Sequence, residues 1–266
     1  MKFLFPFLIL FLISFTSCSS DDDSTSVIEN DIFNFTGTIV DALDNPIENA
    51  SITLGEAEVF SDVNGNFSLN NIEVSTDIAY IITKKEGYLN GMRTLSNLQE
   101  ENVVRISLLR DVLATIISSV GDTQVYVPTG LTLLILDAHI IKEDGSVFSG
   151  FISPVIHHIL PSNPIIDTVI PGNYENDGDT YGFAYVKLES GDQVLDLADG
   201  YIATLGFRIE DSLSSEAPET LSIWNFNEAT GVWGLHGEAT KEYVLGQWVY
   251  QADVSSFSNP WFKIKA

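Results

Sequence analysis

Residues 61–67 read Ser61-Asp62-Val63-Asn64-Gly65-Asn66-Phe67. Asn64-Gly65 is the strongest short signal for a tight hairpin, because its two-residue loop demands positive φ. The chain alternates on either side of it. Phe67-Ser68-Leu69 leaves the turn with period two, and Val59-Phe60-Ser61 enters it. Further upstream, Ala50-Ser51-Ile52-Thr53-Leu54 forms another strand, reached from residues 33–40 (FNFTGTIV) through a turn cluster at 41–46 (DALDNP). Downstream, 78–83 (IAYIIT) is rich in β-branched residues, 84–87 turns the chain, and 103–108 (VVRISL) closes the segment. About seven short strands within roughly 75 residues predict a β-sandwich.

The same text continues to the C-terminus. Strand-prone stretches fall at 112–120, 124–127, 148–159, 181–188, 201–209, 221–226, 231–235, 248–254 and 261–264, with turn residues between them. Residues 131–141 are the best helical candidate, but they are short and apolar and do not establish a helix. The predicted class is all-β, with two consecutive β-sandwich modules at 33–109 and 110–266.

Composition narrows the function. Twelve Lys and Arg stand against 37 Asp and Glu, a net charge of -25. Such a surface repels nucleic acid, which excludes it as a partner, and repels anionic membranes. Divalent cations, basic proteins and neutral glycans remain compatible. Hydrophobic residues make up 45% of the chain, enough for a sizeable core despite the charge. Cys18 is the only cysteine, so no disulfide supports the fold.

The first residues supply an address. Lys2 precedes an apolar run at 3–13, followed by small and polar residues up to Cys18. That is the layout of a secretory signal peptide, and the run is too short to cross a bilayer. Phe15-Thr16-Ser17-Cys18 resembles the lipobox of bacterial lipoproteins, with Phe15 where Leu is usual. The resemblance implies a signal peptide at 1–17, cleavage before Cys18, a diacylglyceryl group on its sulfur and an acyl chain (palmitate or similar) on its amine. Several chains hold a protein at a membrane where one slips off. Ser19-Ser20-Asp21-Asp22-Asp23 resembles the export signal of Bacteroidota surface lipoproteins, which implies the outer face of the outer membrane. Residues 18–32 are expected to form the lipidated cysteine and a disordered acidic tether.

Two further resemblances concern the modules. Gly37-Thr38-Ile39-Val40-Asp41, Asn45-Pro46-Ile47, Asn49-Ala50-Ser51-Ile52, residues 61–67 and Lys85-Glu86-Gly87-Tyr88 resemble the carboxypeptidase regulatory-like domain, a transthyretin-like sandwich. That implies a spacer module without catalytic residues. Val125-Tyr126-Val127-Pro128-Thr129-Gly130, Leu221-Ser222-Ile223-Trp224-Asn225-Phe226-Asn227 and Thr230-Gly231-Val232-Trp233 are similar to ZU5-like and cartilage-intermediate-layer-protein-like β regions. The implied role is architecture or binding.

Chemistry-bearing constellations are weak. Asp62, Asn64 and Asn66 place oxygens at alternate positions as a calcium loop does, but glycine falls at the fourth position instead of the sixth. Asp177 and Asp179 with Glu175 form a second acidic loop. Both are weak calcium candidates, with a plain turn as the other reading. No histidine has metal-ligand spacing, and His157 and His158 must face opposite ways on a strand. There is no G-x-S-x-G elbow. A glycosidase carboxylate pair is not excluded, but no pair is marked. Trp224, Trp233, Trp248 and Trp261 cluster near the end of the chain. They are either core or, at Trp248 and Trp261, a glycan platform. The expectation is a non-catalytic surface lipoprotein without cofactor or resident metal, binding or scaffolding a glycan or protein partner. The alternatives are a glycan-binding accessory of a polysaccharide uptake system and an unmarked glycan hydrolase.

Overall fold

The computed structural model describes residues 30–136, 139–173 and 180–266. The signal peptide, Cys18, most of the tether, Asp177 and Asp179 lie outside the described residues. The fold is all-β, as the alternation predicts. The first module contains β1 (Asn30–Asp41), β2 (Ser51–Leu54), β3 (Ala57–Phe60), β4 (Asn66–Ser75), β5 (Ile78–Lys84), β6 (Gly91–Ser96) and β7 (Glu101–Leu108). They form two sheets, ordered β4-β1-β7 and β3-β2-β5-β6. Phe35, Ile39, Ile52, Leu69, Ile81 and Ile106 fill the space between them.

The turn at 62–66 differs from its reading. It does not close a hairpin: β3 and β4 lie in different sheets, and the turn carries the chain from one to the other. A two-residue type I′ loop needs positive φ at both positions. Here φ is positive at Gly65 (+76°) but not at Asn64. Gly65 is nonetheless required, since a Cβ there would stand 2.3 Å from the Ile39 carbonyl oxygen.

The second module contains β8 (Ile117–Ser118), β9 (Thr123–Tyr126), β10 (Leu131–Ile135), β11 (Ile140–Lys142), β12 (Phe151–Ile152), β13 (Val155–Ile159), the single-turn helix α1 (Ile166–Val169), β14 (Thr180–Ser190), β15 (Gln193–Leu197) and β16 (Ala203–Arg208). It finishes with β17 (Thr220–Asn227), β18 (Val232–Val244), β19 (Gln247–Val254) and β20 (Trp261–Lys265). Eleven strands make one curled sheet, β11-β15-β14-β20-β17-β18-β19-β16-β10-β9, with β13 also paired to β14. Leu133, Leu205, Phe207 and Tyr250 from one end meet Val186, Ile223, Phe262 and Ile264 from the other in one core. The sheet therefore wraps over its own inner face. The helical candidate at 131–141 divides into β10 and β11, because β9 and β16 pair with both sides of Leu131–Ile135. The 148–159 stretch is broken at Ser153-Pro154 into β12 and β13.

A third core joins the modules. On β14, Ala184 and Val186 point inward, whereas Phe183 and Tyr185 point out. With Trp261 and Phe226 they pack against Leu89, Met92 and Leu109 of the first module's end, and against Ile166 and Val169 of α1. Several polar groups at this seam are paired, although the buried Trp261 Nε1 has no hydrogen-bond partner among the described residues. Tyr80 donates to the Glu228 carbonyl at 2.9 Å, Thr94 Oγ1 to the Gly231 carbonyl at 2.6 Å, and Arg93 to the carbonyls of Ile170 and Asp167. Gly231 (φ +73°) sits so close to Tyr80 that a Cβ would lie 2.5 Å from its ring. Among the described residues no helix is long and apolar enough to cross a membrane.

Candidate functional site

The outer face of the curled sheet carries a groove over β9, β10, β16 and β19, with a volume of about 250 Å³. Strand register builds it. Tyr126 lies opposite Thr132, Thr132 opposite Gly206, and Gly206 opposite Gln251. One step along the strands, Gln124, Leu134, Thr204 and Asp253 form the next row. Paired residues share a face, so each row projects together. The intervening Val125, Leu133, Leu205 and Ala252 point the other way, into the core. One wall is the β18–β19 hairpin. Val244 pairs with Gln247 around Leu245 and Gly246, both at positive φ, which is the two-residue loop that Asn64-Gly65 does not form.

The lining bears no charge. It consists of amides (Gln124, Gln247, Gln251), hydroxyls (Tyr126, Thr132, Thr204) and aliphatic groups, in a chain of net charge -25. Charged residues share this face without lining the groove, among them Glu242, which lies opposite Val249. Asp253 accepts from Thr204 Oγ1 at 2.7 Å, and Arg208 pairs with Asp211 at 3.5 Å. Tyr126, at the outer end of its row, is 57% exposed.

A second, more polar cleft of about 220 Å³ lies at the seam, where Tyr88, Asp111, Tyr185, Lys187, Glu228 and Ser258 meet. Burial pushes the Glu228 carboxyl up, while Lys187 and Lys84 hold it back. Burial, then the charges of Glu228, Asp111 and Glu189, push the Tyr185 hydroxyl up, so it stays a neutral donor at physiological pH. Glu228 and Asp111 are the two carboxylates this cleft brings together.

The residues singled out in the sequence are placed as follows. The Asp62 carboxylate accepts the backbone N–H of Asn64 and of Asn66, at 2.9 and 2.8 Å, and so closes its own turn. Glu73, twelfth counting from Asp62, lies far along the extended β4, opposite Ile32, and does not return to the turn. Among the described residues no group of three His, Cys, Asp or Glu is arranged to hold a metal ion. His157 bonds the Arg110 carbonyl and His158 the Thr129 carbonyl, on opposite sides of β13.

Trp261 is only 2% exposed and packs edge-on to Tyr185 in the seam, so it offers no platform to a sugar. Trp248 is 40% exposed, but it faces away from the groove and already has Lys241 Nζ over its ring at 4.8 Å. Trp224 and Trp233 share Lys263, at 5.5 and 4.5 Å. The groove residues went unnoticed in sequence because each strand contributes no more than three of them. Their one local signal is neutral polar residues at alternate positions, as in Gln124-Val125-Tyr126.

No protein-family model matches the chain, and no curated protein does. Among solved structures it aligns with a Bacteroides fragilis protein described as membrane-associated and of unknown function. The two are 10% identical, and the alignment covers 88% of this chain and 97% of that one at a TM-score of 0.25. A score that low lends no weight to fold or function.

Proposed function

We propose that this chain is a non-catalytic, lipid-anchored binding protein of the bacterial outer envelope, displayed on the cell surface, with the uncharged groove as its ligand seat. The observation that carries the binding role is the lining itself. It is made of amides, hydroxyls and aliphatic groups and contains no carboxylate, histidine, cysteine or lysine, the commonest acids, bases and nucleophiles. It does offer donors, acceptors and an exposed ring. The envelope location is supported by the Phe15-Thr16-Ser17-Cys18 and Ser19-Ser20-Asp21-Asp22-Asp23 motifs.

Mass spectrometry of protein from its native host should find Cys18 as the first residue, carrying acyl chains. Protease added to intact cells should degrade the folded part. A bare terminus, a retained leader or full protection in unbroken cells would overturn the location. Release of reducing ends from a polysaccharide, abolished by Glu228→Gln, would overturn the non-catalytic role and make the seam cleft the active site.

A further inference from the structure

The groove assigned above as the ligand seat has a feature that points to what fills it. Gly206 lies mid-strand in β16, with unbroken register to β10 on one side and β19 on the other. Glycine weakens a strand interior, and it is found there at bulges or where a backbone or a ligand comes close. There is no bulge here. No backbone approaches either: a Cβ on Gly206 would meet only the Thr132 side chain, at 3.5 Å from Cβ and 3.9 Å from Oγ1, which is ordinary contact. The missing side chain therefore leaves a dip in the middle of the Tyr126–Thr132–Gly206–Gln251 row, where Gly206, itself buried between its neighbours, lines the groove floor. Four strands spaced by about 4.8 Å make this floor about 14 Å wide, enough for a short oligosaccharide.

The ligand's chemistry follows from its neighbours. An acidic ligand would meet no cation in the lining; of the flanking charges Asp253 repels it and Arg208 is already paired with Asp211, on a strongly anionic protein. A wholly apolar ligand would bury amides and hydroxyls without partners, at a cost of about 1–3 kcal/mol for each. A peptide strand would extend the open edge of β9 and run along it, leaving the cross-strand row unused. A neutral sugar chain satisfies every group. Its hydroxyls both donate and accept, as Gln and Thr side chains do, and its C–H face stacks on a ring. We propose that the groove binds a neutral polysaccharide segment laid across this row, with one sugar on the Tyr126 ring and the next seated over Gly206. Resting on the groove as ligand seat, this names the class of ligand and makes Gly206 and Tyr126 the residues that select it.

The test uses the mature chain and its Gly206→Val and Tyr126→Ala variants, screened against immobilised neutral glycans, uronate-containing glycans and peptides, with titration of any hit. Valine suits a strand, and its Cβ meets no clash, so the Gly206→Val melting temperature should match the parent. The expected result is binding to neutral glycans only, weakened at least tenfold by either variant and kept by Tyr126→Phe. A peptide or acidic glycan that binds and is displaced by Gly206→Val would overturn the ligand class and leave the groove standing as a seat. Neutral-glycan binding untouched by Gly206→Val would overturn the groove itself. Absence of binding to every neutral glycan at millimolar concentration would overturn the proposal.

Discussion

His158 shows how one buried side chain sets a pH limit. Its Nδ1–H donates to the Thr129 carbonyl, the ring edge meets Phe207, and Nε2 has no hydrogen-bond partner among the described residues. A second proton on Nε2 would be buried beside the Arg208 guanidinium. Burial, with Arg208 adding to it, lowers the imidazole from 6.5 to about 4. The unfolded chain therefore takes up the proton first as pH falls. Stability is retained above pH 6.5 and drains away between 6.5 and 4, by roughly 3 kcal/mol. Glu228 acts in the opposite sense: its raised carboxyl costs stability only once pH rises above the ordinary glutamate range. We expect the melting temperature to fall more steeply from pH 6.5 to 4 in the parent than in His158→Phe, which keeps the ring contact and cannot titrate. Equal slopes would mean that His158 is solvated.

At the scale of elements, local patterning was the most legible part of the chain. The strands around residues 33–40, 50–54 and 78–83 follow period-two alternation, and a turn does sit at Asn64-Gly65. Which strands the turn connects was not legible, because sheet membership depends on long-range pairing. Asn66 pairs with Thr38, whereas Phe60 pairs with Ser51. The stretch at 231–235 extends to Val244 because β17 and β19 flank it, although Gly234 and Gly237 weaken its own preference. The groove was illegible for the same reason, since Tyr126 and Gln251 become neighbours only through the register of two intervening strands. The β18–β19 hairpin also separates the two sugar-binding readings. Trp248 and Tyr243 meet edge to face on the side away from the groove, at 5.1 Å, while Val244, Gln247 and Val249 face it. Trp248→Ala should therefore leave glycan affinity within twofold of the parent while lowering the melting temperature by a few degrees. A larger loss of affinity in titration would return the binding role to tryptophan.

At the scale of the molecule, the two modules melt together or apart according to their seam. The two outer cores resemble independent domains, but Phe183, Tyr185, Phe226 and Trp261 would be left bare if the first module detached. Fully burying a large apolar side chain is worth about 1.5–3 kcal/mol. We expect one cooperative calorimetric transition for residues 30–266. Tyr80→Ala removes the bond to the Glu228 carbonyl and opens a gap beside Gly231, at a cost of about 3 kcal/mol. That loss should split the transition in two. Two transitions in the parent would show the seam to be weaker than its packing indicates.

The blank lining of the groove has a consequence for the surface role proposed above. Long-range attraction hastens encounter only when both partners carry charge, and dissolved ions then mute it. A neutral chain arriving at an uncharged seat is neither drawn in nor held off by the surrounding anionic body. Capture then depends on contact alone and proceeds at much the same strength in fresh water and in brine.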